Sequence, residues 1–196
     1  VRHGQVEQVL PRRFLGQRDV PLDAEGERQA DVLGRALAQT PCDAAYCSDL
    51  ERARETLRRI LARRERRPVP MATPLLREIA LGNWEGLTVD EVRERHPGQY
   101  EGRGADLAGF RPTGGESFAD VQARAVRFLD SLGPLTGDVL AVAHGGFNRT
   151  LLCHVLGLDL AELFSLAQEY CCVNVLRREH GRWAVVSSGL CPHLPA

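Results

Sequence analysis

Two histidines, each followed by glycine, stand far apart in this sequence of 196 residues: Arg2-His3-Gly4 at its start and His144-Gly145-Gly146 in its last third. A neutral imidazole is a nucleophile near neutral pH, a second imidazole can carry charge, and guanidiniums fork onto oxygens, so these types together suit chemistry on an anionic, oxygen-rich group. Arg2 flanks the first histidine, and Arg52 opens a helical pattern that follows another short apolar run. Glu78 and Glu85 are two carboxylates close together in the sequence. A lone histidine after a strand is ordinarily a packing or capping residue; it is the coincidence of two histidines, two arginines and a glutamate that points to catalysis.

These residues need elements to bring them together. Asp138 to Ala143 is too apolar to alternate and reads as a strand buried on both faces, ending at His144. Phe147, Leu151 and Val155 then recur at helical spacing, so Gly145 and Gly146 lie between a strand's carboxyl end and a helix's amino end. Open α/β sheets bind ligands there, and the free N–H groups of the helix suit an anion. Arg2-His3-Gly4 reads as a similar strand end with only Val1 before it and no initiator methionine, so further strand residues are expected to precede it.

Asp23 is a predicted N-cap for a helix with Ala30, Leu33 and Leu37 inward, and residues 44–47 are a predicted strand leading to a helix with Leu50, Ala53, Leu57 and Ile60. Residues 68–71 form a plausible third strand. Residues 97–116, rich in glycine with two prolines, read as an irregular insertion. Ser117 with Asp120 is a capping-box pattern opening a helix through Phe118, Val121, Ala125, Phe128 and Leu132. Val173, Val175, Trp183 and Val185 around residues 179–182 suggest a hairpin appended to the sheet. The alternation predicts an α/β class chain, a three-layer α/β/α sandwich with a mostly parallel sheet, and no interior linker divides residues 1–196 into two domains.

Composition narrows the partners. A formal charge of −1 gives no global reason for nucleic-acid or membrane binding. No run approaches the roughly 18 apolar residues that span a bilayer. All 25 Lys+Arg residues are arginine, which removes a lysine nucleophile or P-loop lysine from these residues. The run of Arg58, Arg59, Arg63, Arg64, Arg66 and Arg67 reads as a solvated helix end, partly offset by Glu55 and Glu65. Six cysteines without a regular framework read as buried free thiols, and Cys171-Cys172, Cys153-His154 and Cys191-Pro192-His193 lack paired metal-ligand spacing. His96, His154, His180 and His193 read as surface or core residues, and Trp84 as a packing anchor.

Arg2-His3-Gly4, Gly16 to Leu22, Ser48 to Thr56, Glu78 to Gly86, Gly115-Glu116-Ser117 and His144-Gly145-Gly146, in that order, resemble the phosphoglycerate mutase-like branch of the histidine phosphatase superfamily. The resemblance implies that His3 accepts a phosphoryl group while Arg2, Arg52 and His144 surround its oxygens, His144 in protonated form. It implies Glu78 as the general acid that protonates the leaving alkoxide, and no metal or other cofactor. Gly4, Gln17, Gly145 and Asn148 are expected to bind substrate, and Arg12 or Arg13 to reach its far end. The segment Gln5-Val6-Glu7-Gln8-Val9 departs from the family's usual acidic-threonine opening and later asparagine.

Water or a second hydroxyl can receive the phosphoryl group from such a histidine. Only residues 87–114 separate Gly86 from Gly115, shorter than in the family's cofactor-dependent mutases, which favours a phosphomonoesterase acting on a small phosphorylated metabolite. The segment from Arg13 to Leu22 is similar to the α-ribazole phosphatases. The alternatives are mutase-type phosphoryl transfer and a catalytically silent member that binds phospho-ligands or a protein. The expected setting is cytoplasmic, as monomer or homodimer, without nucleic-acid or membrane partners.

Overall fold

The computed structural model describes residues 1–7, 10–133 and 137–192. Gln8, Val9 and His193, which figure in the sequence reading, lie outside the described residues.

Three parallel strands form the centre: β1 (Ala44–Cys47), β2 (Pro70–Ala72) and β3 (Val139–Val142), in the order β2-β1-β3. β1 pairs with β2 through Ala45–Pro70 and with β3 through Ala44–Val139. Arg2 makes an isolated parallel bridge to Ala143, so the amino-terminal segment continues the sheet beyond β3. Strand alternation sends Ala45, Cys47 and Val142 to one face and Tyr46, Val139 and Ala141 to the other.

Each face is covered by helices. On the first, α1 (Ala24–Ala36) and α2 (Glu51–Ala62) contribute Ala30, Leu33, Ala53, Leu57 and Ile60. On the second lie α5 (Phe118–Ser131) and α6 (Gly145–Leu156), with Val121, Ala125, Phe128, Phe147 and Cys153. The result is the expected three-layer sandwich. The predicted caps are present: the Asp23 carboxylate accepts from Gly26 N–H, and Ser117 and Asp120 close a reciprocal capping box.

The insertion is more ordered than the sequence predicts. Residues 97–116 contain α4 (Gln99–Ala105), and just before them stands α3 (Val89–Arg95), opened by a Thr88–Glu91 capping box. Gly98, Gly102 and Gly104 lower helix propensity here, but tertiary packing overrides it. Trp84 is fully buried, with its ring 5.5 Å from Phe110 and 6.3 Å from Tyr100. It is a packing anchor.

The carboxyl-terminal hairpin, β4 (Val173–Glu179) and β5 (Arg182–Leu190), is a two-stranded antiparallel sheet of its own. It is joined to the amino-terminal segment just before β4, where Arg2 N–H donates to Cys172 and Cys171 N–H to His3. The arginine run is largely consumed internally: Arg59 meets Glu27, Asp31 and Glu55, Arg63 meets Asp31, and Arg64 donates to the Thr40 carbonyl. Cys47, Cys153, Cys171 and Cys172 are buried free thiols, and burial pushes Cys171 up to about 12, while Cys42 and Cys191 are half-buried. Among the described residues no helix is long and apolar enough to cross a membrane, and no cluster of three metal-ligating side chains occurs.

Candidate active site

The bridge between Arg2 and Ala143 puts the two histidine motifs side by side at the carboxyl end of the sheet. The rings of His3 and His144 are 4.9 Å apart. Arg2, His3, Arg52, Glu78 and Gly145 line one cavity of about 640 Å³, so these residues converge there from four separate stretches of chain.

His3 is held in one tautomer. Its Nδ1 lies 2.7 Å from the Gly4 carbonyl oxygen, which can only accept, so Nδ1 carries the proton and Nε2 keeps its lone pair. Burial, then Arg52 and Arg2, hold its pKa well below the ordinary histidine value. The ring is neutral at pH 7 and its free nitrogen is a nucleophile.

His144 follows the strand and stands at the N-cap of α6, fully buried, with neither ring nitrogen bonded to any of the described residues. Burial, then His3, Arg52 and Arg2, push its pKa far down as well. In the free protein both imidazoles are therefore neutral and His144 offers one N–H donor, whereas the protonated His144 that the resemblance implies belongs to the cage with a phosphoryl group in it.

The cationic part of the cage is Arg2 and Arg52. Arg52, on the first turn of α2, is 1 % exposed and donates to the Arg18 carbonyl at 2.7 Å and the Gly16 carbonyl at 2.9 Å. Arg2 donates to the Gln168 carbonyl and rests its guanidinium 3.9 Å from the Tyr170 ring centre. Both arginines keep a buried Nε–H with no acceptor among the described residues. Buried donors of this kind are costly unless an anion meets them.

Glu78 occupies the helix end that the sequence reading left for a ligand. Its carboxylate accepts from Gly146 N–H at 3.0 Å and Phe147 N–H at 3.1 Å, so two amino-terminal donors of α6 hold a protein carboxylate beside the cavity. Gly146 is required by space: a Cβ there would lie 2.4 Å from Glu78 Oε1. Glu85 has a different task. Its Oε1 accepts from Gln17 N–H and Leu81 N–H, tying two loops together, and it does not line the cavity. Gly16, at φ +53° with its Cα against that carboxylate, admits no side chain.

Three expected substrate contacts sit behind the cavity wall. Gln17 donates to the Glu78 carbonyl at 2.9 Å and accepts from Arg77, Asn148 donates to Gln168, and Gly4 packs against the Gly26 backbone. Gly145 does line the cavity, as do Arg12 and Arg13, although Arg13 is engaged by Glu91 at 2.7 Å. His96 is half-buried and His154 and His180 are exposed, and none of them reaches the site.

Arg124 was missed by the sequence reading. It is 7 % exposed, paired with Glu116, and donates to the carbonyls of Leu75, Arg77 and Glu78, fixing the loop that carries Glu78. Its signal was a cation on the apolar stripe of α5, between Val121 and Phe128. Arg124→Met is expected to cost about 3–5 kcal/mol, because it leaves the Glu116 carboxylate without its ion-pair partner and the Leu75 and Arg77 carbonyls without their side-chain donor. Urea unfolding checks this, and a loss under 1 kcal/mol would refute the role.

The two depressed histidines also set a pH dependence of stability. The unfolded chain binds more protons than the folded one below the ordinary histidine pKa of about 6.5, so stability is complete above that pH and falls as pH drops toward the folded values. The expected slope is about 1.4 kcal/mol per pH unit for each histidine in that window. Urea titrations at pH 7.5 and 5.5 measure it; a His3→Gln, His144→Gln double variant that retained the slope would place its origin elsewhere.

Known proteins show the same arrangement of sequence and fold. The family profile described as histidine phosphatase superfamily (branch 1) matches residues 1–190. The adenosylcobalamin/alpha-ribazole phosphatase of Salmonella typhimurium is 32 % identical over 179 residues, covering 90 % of this chain and 87 % of the relative. A 2,3-bisphosphoglycerate-dependent phosphoglycerate mutase 2 of Gloeobacter violaceus is also 32 % identical, over 176 residues, 87 % of this chain and 80 % of the mutase. The crystal structure of the alpha-ribazole phosphatase from Shigella flexneri superposes with a TM-score of 0.87 at 25 % identity, covering 96 % of this chain and 94 % of that one. With both histidine motifs brought to one cavity and this match over nearly its whole length, the chain belongs to the histidine phosphatase superfamily, branch 1.

Proposed function

We propose that residues 1–196 form a single phosphomonoesterase domain that hydrolyses a small phosphorylated metabolite through a phosphohistidine. The observation that carries this reading is the locked tautomer of His3 inside a cage of unpartnered donors from Arg2, Arg52 and His144. His3 Nε2 attacks phosphorus and the ester P–O bond breaks, with the oxygen taking the bonding electrons and a proton from the Glu78 side. Water, giving a proton back toward Glu78, then attacks the phosphohistidine; the P–N bond breaks and orthophosphate leaves. Two guanidiniums offset the phosphoryl charge throughout. No step is assigned to a metal or cofactor.

The relative from Salmonella and the segment from Arg13 to Leu22 make α-ribazole 5′-phosphate the finer candidate, on likeness alone. Mutase-type transfer to a second hydroxyl is the alternative, favoured by the Gloeobacter relative. A cytoplasmic monomer or homodimer without nucleic-acid or membrane partners suits such an enzyme.

The test is to quench the protein in alkali during turnover of an aryl phosphate and map any phosphoryl group by mass spectrometry. An acid-labile adduct on His3 is the expected result. Phosphate release without any phosphohistidine would overturn the covalent route. Conversion of 3-phosphoglycerate to 2-phosphoglycerate, outrunning phosphate release, would favour the mutase alternative.

A further inference from the structure

Away from the phosphoryl cage, the same cavity has a second wall where α4, the start of α5 and the 3-10 turn Leu160–Ser165 meet. Phe164 stands there 56 % exposed, edge-on to Phe118 with ring centres 6.0 Å apart. Two guanidiniums flank the pair. Arg103 lies 5.5 Å from the Phe118 ring centre and 5.8 Å from that of Phe164, and Arg149, on α6 beside Gly145 at the edge of the phosphoryl cage, lies 5.7 Å from the Phe164 ring centre.

Both arginines are half-buried, and among the described residues neither has a carboxylate within ion-pair distance. Arg149 spends one N–H on the Leu166 carbonyl, and among the described residues Arg103 makes no hydrogen bond. Elsewhere the chain treats such residues differently: Arg59, Arg77 and Arg124 each hold a carboxylate, and Arg64 holds a carbonyl. Burial weakens the hold of both guanidiniums on their protons, and Arg2 adds to this at Arg149. Seven arginines and two glutamates line the cavity, more cation than one phosphate ester dianion offsets. A neutral ring on Phe164 would leave the donors of Arg103 bare, whereas an anionic group would meet both forks.

We propose that Arg103 and Arg149 bind a second anionic group of the substrate, a carboxylate or a second phosphoryl group, so that the preferred substrates are phosphate esters with an anionic far end. This rests on the phosphomonoesterase reading. It parts from α-ribazole 5′-phosphate, whose far end carries no second anion.

Matched pairs test it. The ester frame is kept and the far anion removed by comparing 3-phosphoglycerate with glycerol 3-phosphate, and fructose 1,6-bisphosphate with fructose 6-phosphate; the preferred pair tells carboxylate from phosphoryl. At least one anionic member is expected to have a kcat/KM roughly tenfold to a hundredfold above its partner, the worth of a hydrogen bond to a charged group. Arg103→Gln and Arg149→Gln are expected to shrink that ratio, the carboxylated or bisphosphorylated substrate losing far more than its neutral match. Ratios near one in the wild type, or a preference that survives both substitutions, overturn the second-anion site. p-Nitrophenyl phosphate with a His3→Ala control separates the two levels. His3-dependent hydrolysis with flat pairs removes only this inference, and absence of His3-dependent hydrolysis removes the phosphomonoesterase reading along with it.

Discussion

His3→Ala is expected to lower phosphate release by about 10⁴-fold or more on every substrate, since it removes the nucleophile on which the reaction depends. The structure offers no substitute. His144 has both ring nitrogens fully buried, and the cysteines nearest the site, Cys171 and Cys172, are buried thiols whose pKa values burial pushes up. His3 is nearly buried, and replacing it removes an imidazole whose charged form burial disfavours, so the variant should fold and still bind inorganic phosphate through Arg2 and Arg52. Phosphate release assayed with phosphate binding checks both halves. Turnover within tenfold of wild type would sink the covalent mechanism, because nothing else in the cavity is placed to carry the phosphoryl group.

Glu78→Gln is expected to cost about 10²- to 10⁴-fold on alkyl phosphates and much less on p-nitrophenyl phosphate. The physical reason is the leaving group. An alkoxide needs a proton as the P–O bond breaks, whereas a nitrophenolate leaves without one. Glutamine keeps the shape and an acceptor oxygen for Gly146 or Phe147 N–H, so the change is directed at proton transfer more than at the fold. Equal losses on both substrates would remove leaving-group protonation as the role of Glu78. Gly146→Ala gives an independent check, because the new Cβ must displace the carboxylate; a loss of roughly 10²-fold on alkyl phosphates is expected from misplacement alone. Activity at the wild-type level in that variant would show that the position of Glu78 is not critical.

Much of this was readable from the chain. Strand alternation, capping signals and apolar spacing led to three layers, because each of those signals is local and the sheet is built from short parallel units. The convergence of His3, Arg52 and His144 was legible because each stands at the end of a strand or the start of a helix, whereas Glu78, on a loop, was legible only through the family resemblance. What the sequence did not show depends on tertiary neighbours. Glycines 98, 102 and 104 hid α4, whose order comes from the aromatic packing around Trp84. Gln17 and Asn148 are polar and near the motifs, yet their amides are committed to Arg77, Glu78 and Gln168 behind the wall. The neutrality of His144 follows from complete burial beside two cations, which no motif encodes.

The cavity is divided unequally between the chain's elements. His3, Arg52 and His144 are held by strand ends and helix starts of the sandwich, while Arg103 rides on α4, a short helix braced through Trp84, Tyr100 and Phe110. That division makes the α4 side of the second wall exchangeable, with Phe118, Arg149 and Phe164 left in place. Splicing a relative's residues between Gly86 and Gly115 into this chain would change which far ends the cavity accepts while the phosphoryl end went on working, so a lineage could change its diet by editing one short stretch and never touch its chemistry.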